Sequence, residues 1–299
     1  METFEIFSAA RLRDFPLLLA SARQVHAVWH PSRFVVAVPS QDRGAVQAGL
    51  AGLATVVDEN SLLQGFDRKA FQRRPIPHFP QSFGWYLQQF LKIEFCCQSR
   101  SPYCLVWDAD TVPLKSLRFL DGQGRIHLTQ AAEFHQPYFR TIEGLFGRPA
   151  PARTSFISQH MFVRTESMRS LCALVRERHG GGHWTDALGD ILESHPDRAN
   201  LFSEYETYAN YMLMFEPGDV ALRTLKWERS ENRRTWGIPG GQIEDARRRG
   251  LDFAAYESPN AVLSRIFLKS LEKAPAVLKR LAVTFVLRQS ADGVRMGAV

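Results

Sequence analysis

The 299-residue sequence lacks several features that would assign it to a narrow class of protein. It contains no stretch of about 18 uncharged apolar residues, so no helix is expected to span a bilayer. Its first residues have neither a positive leader nor a long apolar core, so we do not expect a cleaved signal peptide. No Asn-x-Ser/Thr site occurs, and the four cysteines lack the spacing of metal ligands. These absences predict a cytoplasmic protein with reduced thiols.

Charge of either sign is not concentrated in the first two thirds of the chain. Lys and Arg number 37 against 31 Asp and Glu, which gives a net charge of +6. This modest, dispersed excess argues against a nucleic-acid partner. A hydrophobic content of 45% with 23% charged residues is typical of a globular protein that can bury a large core.

Short apolar runs alternate with helical stretches in the first part of the chain. Strands are predicted over Phe4–Ser8, Arg33–Val38, Ala54–Val57 and Tyr103–Trp107, with helices between them. This order predicts an α/β fold with a mostly parallel central sheet flanked by helices. A further late strand is predicted over Val220–Trp227.

The predicted domain boundaries follow from this order. We expect one catalytic domain over 1–258, with a nucleotide-binding half (1–110) and an acceptor half (111–258). A basic amphipathic helical extension is expected over 259–299, broken at Pro275.

The sequence LVWDADTVPL carries the most specific chemical signal. It places Asp108 and Asp110 after an apolar strand, at the edge where ligands collect in open α/β sheets. Side chains two apart on an extended segment point the same way, so the two carboxylates could share a hard cation. Mg²⁺ or Mn²⁺ bound in this way retains coordination positions for a diphosphate. The alternative is a solvated acidic turn.

Four segments in order extend this signal: FGWYLQQFLKIEF, YCLVWDADTVPL, SQHMF and SEYETYANYM. Together they resemble GT-A glycosyltransferases, and more closely a bacterial GT-A-like domain family of unknown function. The resemblance covers about Phe4 to Trp227. It implies a nucleotide-sugar donor, a glycan or lipid-linked acceptor, a role in bacterial polysaccharide biosynthesis, and a Mn²⁺ or Mg²⁺ ion bound by Asp108 and Asp110.

Three further residues are predicted on the donor side. Gln88 and Lys92 lie four apart on one helix face, where the lysine could neutralise a diphosphate or bind the donor sugar. Asp58 follows a strand at a position where such folds often contact the nucleotide. A solvated lysine and an acidic turn are the structural alternatives.

The acceptor side is predicted from three later segments. The resemblance implies that Gln159 and His160 contact sugar hydroxyls or metal, although a histidine in an apolar strand is more often structural. Inverting transfer needs a carboxylate base. Glu204 and Glu206 are the first candidates for this base, and Asp186 is the next. Ser203 and Glu206 also match a helix capping box, which would explain Glu206 structurally.

Two other functions remain open at this point. DADTV also resembles the first motif of haloacid-dehalogenase-like phosphatases, although two βα units precede it here. The chain has no histidine after His195, so a late metal-ligating histidine is absent. This absence gives weight to a catalytically inactive nucleotide-binding or membrane-peripheral protein.

The segment 260–288 mixes cations with apolar residues and is predicted to contact the inner membrane face peripherally. Packing of these helices on the catalytic domain is the alternative. The cations of this segment are Arg265, Lys269, Lys273, Lys279, Arg280 and Arg288.

Overall fold

A computed structural model describes residues 3–76, 83–198, 200–230, 240–256 and 270–296. The chain divides into two compact units, each built from separated segments. The first unit comprises Glu2–Ser61, Trp107–Leu117 and Leu225–Val299, and the second comprises Leu62–Val106 and Arg118–Thr224.

Strands and helices alternate along most of the chain. The strands are β1 (Glu5–Ala9), β2 (Arg33–Val38), β3 (Thr55–Asp58), β4 (Tyr103–Trp107), β5 (Thr111–Pro113), β6 (Ile126–Thr129), β7 (His160–Arg164), β8 (Val220–Arg223), β9 (Trp227–Ser230) and β10 (Phe253–Tyr256). The helices are α1 (Phe15–Val28), α2 (Arg43–Gly49), α3 (Arg68–Gln72), α4 (Phe83–Gln98), α5 (Gln136–Phe146), α6 (Thr165–Arg178), α7 (Trp184–Glu193), α8 (Glu204–Phe215), α9 (Gly240–Arg248) and α10 (Ala276–Met296).

The first unit is organised around parallel strands in the order β3-β2-β1. Ser8 pairs with Val36, and Val38 pairs with Asp58, so the carboxyl ends of these strands share one edge. β2 is buried from Phe34 to its end, as expected for a strand covered on both faces. A smaller sheet in this unit has the order β5-β10-β9.

The second unit is mainly helical. β4 and β7 are neighbours in a sheet, while β6 and β8 form a separate parallel pair. The second unit also contains α3 to α8, and α4 packs against α6 and α8. Tyr86, Phe90 and Phe202 are among its most buried aromatic residues.

The predicted α/β fold with a mostly parallel central sheet flanked by helices is confirmed. The single late strand predicted over Val220–Trp227 is wrong, because β8 ends at Arg223 and β9 begins at Trp227. The apolar pattern did not predict α3, α5, α9, β5 or β10.

The C-terminal helix α10 packs on α2 within the first unit. Lys279 Nζ lies 2.5 Å from Asp42 Oδ1, and both side chains are only 2% exposed. A Cβ atom on Gly49 would come within 2.3–2.7 Å of Phe15 and Val283, so only glycine fits between the helices. Lys279 is therefore buried in an ion pair. The membrane prediction had instead counted it among the cations that face the lipid headgroups. Residues 257–269 of the predicted extension lie outside the described residues.

This buried pair gives a direct stability prediction. Replacing Lys279 by Ala leaves the Asp42 carboxylate buried without its cation, so we expect the free energy of unfolding to fall by about 3–5 kcal/mol. Urea unfolding measures the change. Lys273 is exposed, and Lys273→Ala should change stability by less than about 0.5 kcal/mol. Equal effects of the two substitutions would contradict the importance of the pair.

Candidate functional site

Asp108 and Asp110 lie in a tight turn directly after β4. The Thr111 N–H donates to the Asp108 carbonyl at 3.0 Å, and the indole N–H of Trp107 donates to the Thr111 carbonyl at 2.7 Å. The extended geometry that motivated the pairing of the carboxylates stops at Trp107. Both aspartates are half-buried, on a backbone that is fixed at each end of the turn.

This turn lies at the carboxyl edge of the first unit's parallel strands. The Ser8 hydroxyl, near the end of β1, donates to the Trp107 carbonyl at 2.5 Å. The Tyr256 N–H, at the end of β10, donates to the Asp110 carbonyl at 2.8 Å. The turn therefore occupies the position where open α/β sheets bind ligands.

Asp58 ends β3 at the same edge of the strands. Its Oδ1 accepts hydrogen bonds from the Asn60 N–H and Asn60 Nδ2, both at 2.9 Å. Burial acts to raise the pKa of Asp58, but hydrogen bonds from Ser40 and Asn60 and the charge of Arg43 outweigh it, so the pKa is lowered. Asp58 is therefore an ionised acceptor at neutral pH.

Asp108 and Asp110 are the residues of this turn that offer carboxylates to a metal ion. Within the described ranges, no group of three His, Cys, Asp or Glu side chains is positioned to bind a metal ion. Mg²⁺ is commonly bound by one or two carboxylates together with substrate phosphates, without a full protein cage. The hard oxygen donors of Asp108 and Asp110 fit such an ion.

In the second unit, Lys92 of α4 and Glu204 of α8 form a buried ion pair. Lys92 Nζ lies 2.6 Å from Glu204 Oε1, with side-chain exposures of 4% and 3%. The ammonium also donates to the Tyr205 hydroxyl at 3.2 Å and lies 4.5 Å from the centre of its ring. The structural alternative for Lys92, a solvated lysine on the helix surface, is therefore wrong, because the ammonium is buried.

Gln88 was predicted to share a donor-binding helix face with Lys92, but Gln89 is the glutamine that contacts the start of α8 together with Lys92. Gln89 is buried, and its Oε1 accepts the Glu204 N–H at 3.0 Å. Gln88 is half-exposed. Gln89 and Lys92 are three residues apart, a spacing that also places two residues on one helix face. The prediction considered only the four-residue spacing of Gln88 and Lys92 and so missed Gln89.

Glu206 anchors a neighbouring loop. Its Oε1 accepts the Ser155 hydroxyl at 2.6 Å and the Phe156 N–H at 2.9 Å. The Ser203 hydroxyl accepts the Glu206 N–H at 3.3 Å, so half of the predicted capping box is present. The reciprocal bond from Glu206 is replaced by the contacts with Ser155 and Phe156.

The protonation of Glu206 differs from that of an ordinary carboxyl. Burial raises its pKa to about 7, against the opposing effect of its hydrogen bonds from Ser155 and Phe156. Its second oxygen, Oε2, is buried and has no hydrogen-bond partner among the residues the structure describes. A buried polar atom of this kind is explained by strain, by a bound water or ion, or by a catalytic role.

Aromatic side chains that the sequence patterns did not single out lie beside these carboxylates. Burial raises the pKa of Tyr138, and the charges of Glu133, Glu204 and Glu206 add to the effect. The half-buried Trp85 ring stacks on Tyr138, with ring centres 6.3 Å apart. Tyr138 of α5 therefore lies within electrostatic range of the acidic start of α8.

His160 is neutral and has protein partners at both ring nitrogens. Arg223 lies 3.3 Å from Nε2 and can only donate, so Nε2 accepts and Nδ1 donates to the Ser158 carbonyl at 2.9 Å. Burial and the charge of Arg223 lower the pKa of His160 to about 3. A small cavity beside it, of about 10 Å³, has room for no more than one water molecule.

Gln159 has an unusual backbone for a residue other than glycine. Its φ is +63°, in the left-handed region, although its side chain is only 8% exposed. Such a conformation costs about 1 kcal/mol or more for a residue with a Cβ. No hydrogen bond of its side-chain amide is found within the described part of the chain.

Asp186 has a capping role in α7. Its Oδ2 accepts the His183 N–H at 3.1 Å, and the residue is exposed. The structure does not bring Asp186 into the hydrogen-bond network of Glu204 and Glu206.

The raised pKa of Glu206 predicts a pH-dependent stability. Its folded-state pKa of about 7 lies above the ordinary value of 4.5 for a glutamate carboxyl, so the folded protein binds more protons than the unfolded chain between these two pH values. The free energy of unfolding therefore falls as pH rises through this window. We expect Glu206→Gln to gain roughly 2–3 kcal/mol relative to the parent between about pH 5 and pH 8.

Urea unfolding at the two pH values measures this gain. Glu166→Gln is the matched control, because the Glu166 side chain is 76% exposed. A constant difference between Glu206→Gln and the parent at both pH values would show that Glu206 titrates normally.

Comparisons with solved structures give likenesses at low identity. The chain is similar to a galactosyltransferase, LgtC, solved with donor and acceptor sugar analogues, at 14% identity and a TM-score of 0.44, covering 86% of this chain and 88% of that one. It is similar to mouse xyloside xylosyltransferase 1 at 12% identity and a TM-score of 0.45, covering 85% of this chain and 97% of that one. It is similar to the bifunctional glycosyltransferase WbbM at 11% identity and a TM-score of 0.44, covering 87% of this chain and 46% of that one.

No curated protein matches the sequence. The chain belongs to a family of unknown function, DUF6492, whose model matches residues 7–234.

Proposed function

We propose that this member of the family is a glycosyltransferase that moves a sugar from a nucleotide-sugar donor to a glycan or lipid-linked acceptor. The observation that carries the proposal is the fixed turn of Asp108 and Asp110 at the carboxyl edge of β1, β2 and β3. Two carboxylates at this edge suit a cation that accompanies a diphosphate. Glycosyl transfer from a nucleotide-sugar releases such a diphosphate.

On the donor side, Asp108 and Asp110 would hold Mn²⁺ or Mg²⁺. A divalent ion there would neutralise the negative charge that develops on the departing diphosphate. Asp58, ionised at the end of β3, would accept a hydrogen bond from the nucleoside. The bonds to the Asp108 and Asp110 carbonyls keep the turn in place before the donor arrives.

On the acceptor side, the start of α8 supplies the proposed base. Glu204 is paired with Lys92, whereas no cation pairs with Glu206 among the described residues. A base works best when its pKa lies near the working pH, and that of Glu206 is raised to about 7. We therefore propose Glu206 Oε2 as the proton acceptor; because Glu206 is 0% exposed, the acceptor hydroxyl must displace the groups that cover it in order to reach it.

The remaining residues of this side hold Glu206 in place or bind the sugar. The Lys92–Glu204 pair and Gln89 position the first turn of α8, so Lys92 is proposed to act here as a positioning residue. The side-chain amide of Gln159 would hydrogen-bond a sugar hydroxyl, which gives a reason for its costly backbone conformation. His160 supports the same segment through Ser158.

Asp110→Asn tests the donor side. The variant keeps the main-chain carbonyl that binds the Tyr256 N–H, so we expect it to fold. With Mn²⁺ present, a nucleoside diphosphate at 100 times its dissociation constant should stabilise the parent by about 2.7 kcal/mol. The variant should lose this metal-dependent shift, measured by thermal unfolding with Mn²⁺ or with EDTA.

Asp245→Asn is the control for this experiment, because Asp245 is half-exposed on α9 of the same unit. It should retain the full shift. Undiminished stabilisation of Asp110→Asn would overturn the assignment of the metal site.

Glu206→Gln tests the base. The amide retains an acceptor for Ser155 and Phe156 but cannot take a proton, so turnover should fall by about 10²–10⁴ while donor affinity is unchanged. Transfer assays with a panel of nucleotide-sugars and the thermal shift with donor measure the two quantities. Turnover at the parent rate would place the base elsewhere, and donor binding without turnover by the parent would indicate an inactive binding protein.

A further inference from the structure

Helix α10 presents a stripe of large apolar side chains to solvent. Val277, Leu278, Leu281 and Phe285 are 68%, 51%, 58% and 55% exposed. Their spacing places them on one face of the helix, and we call them the α10 stripe. Single exposed apolar residues are ordinary on protein surfaces, but a contiguous group marks an interaction site.

The opposite face of α10 fixes the stripe in this orientation. Val283 and Val286 are buried, and Lys279 is paired with Asp42. Turning the stripe toward the protein would break this ion pair and leave two charges buried apart. The stripe is therefore held outward by the packing of α10 on α2.

The charges around the stripe indicate what covers it. Residues 273–288 contain four cations and no Asp or Glu. Lys279 is neutralised by Asp42, whereas Lys273 and Arg280 are exposed. A second copy of this helix laid on the stripe would bring like charges together, but an anionic lipid surface would attract them.

An apolar helix face with flanking cations can lie in the plane of a membrane interface. Among the described residues, no helix is long and apolar enough to cross a membrane. We infer that the α10 stripe docks the protein on an anionic membrane surface, with Lys273 and Arg280 at the headgroups. This inference does not depend on glycosyl transfer.

Flotation of the full chain with lipid vesicles tests the inference. The parent should float with phosphatidylglycerol-containing vesicles at low salt and much less with phosphatidylcholine alone. Leu281→Glu with Phe285→Glu should reduce the bound fraction at least tenfold. Arg280→Gln, which removes one charge, should weaken binding to the anionic vesicles roughly fivefold.

Leu222→Glu is the matched control, since Leu222 is 52% exposed but lies outside α10. It should float like the parent, and thermal unfolding should show that all variants remain folded. The inference is overturned if the parent stays soluble with both kinds of vesicle, or if Leu222→Glu loses binding equally. A parent dimer that the double substitution converts to a monomer, seen by size-exclusion chromatography with light scattering, would assign the stripe to contact between copies instead.

Discussion

The buried ion pair between Lys92 and Glu204 is the contact on which the polar network of the second unit depends. It joins the middle of α4 to the first turn of α8, where the carboxylate of Glu204 neutralises an ammonium that is only 4% exposed. Because Glu204 is held, Glu206 lies two residues further along the same turn and reaches Ser155 and Phe156. The position of the Glu206 carboxylate thus depends on the pairing of Glu204 with Lys92.

Most of the α/β core is predictable because its strands are short, apolar and separated by helices. β2 and β4 match their predicted bounds, since strands covered on both faces appear as uninterrupted apolar runs. β5 escaped prediction because a strand of three residues leaves too little pattern, and β10 because two of its four residues are alanines, which are depleted in strands. α5 lacks an N-cap side-chain hydrogen bond, so its start carries a weaker sequence signal.

The candidate site is only partly readable from sequence, for a physical reason. Motifs identify acidic residues, but they do not report which partner each one takes across the fold. Glu206 matched a local capping box, yet Ser155, 51 residues away in the chain, binds its carboxylate. Gln159 gave no sequence signal of strain, since a positive φ appears only once the chain has folded.

The discontinuous first unit has a consequence for the order of folding. Asp42 and Lys279 are 237 residues apart in the chain, and closing so long a loop is slow compared with local contacts. On a ribosome, α2 emerges long before α10. The surface of α2 at Gly49, which Val283 of α10 covers in the folded protein, therefore stays uncovered during most of synthesis. The second unit, with both of its segments complete by Thr224, can finish folding first. Chaperones that protect exposed apolar surface would then act chiefly on the early strands and on α2.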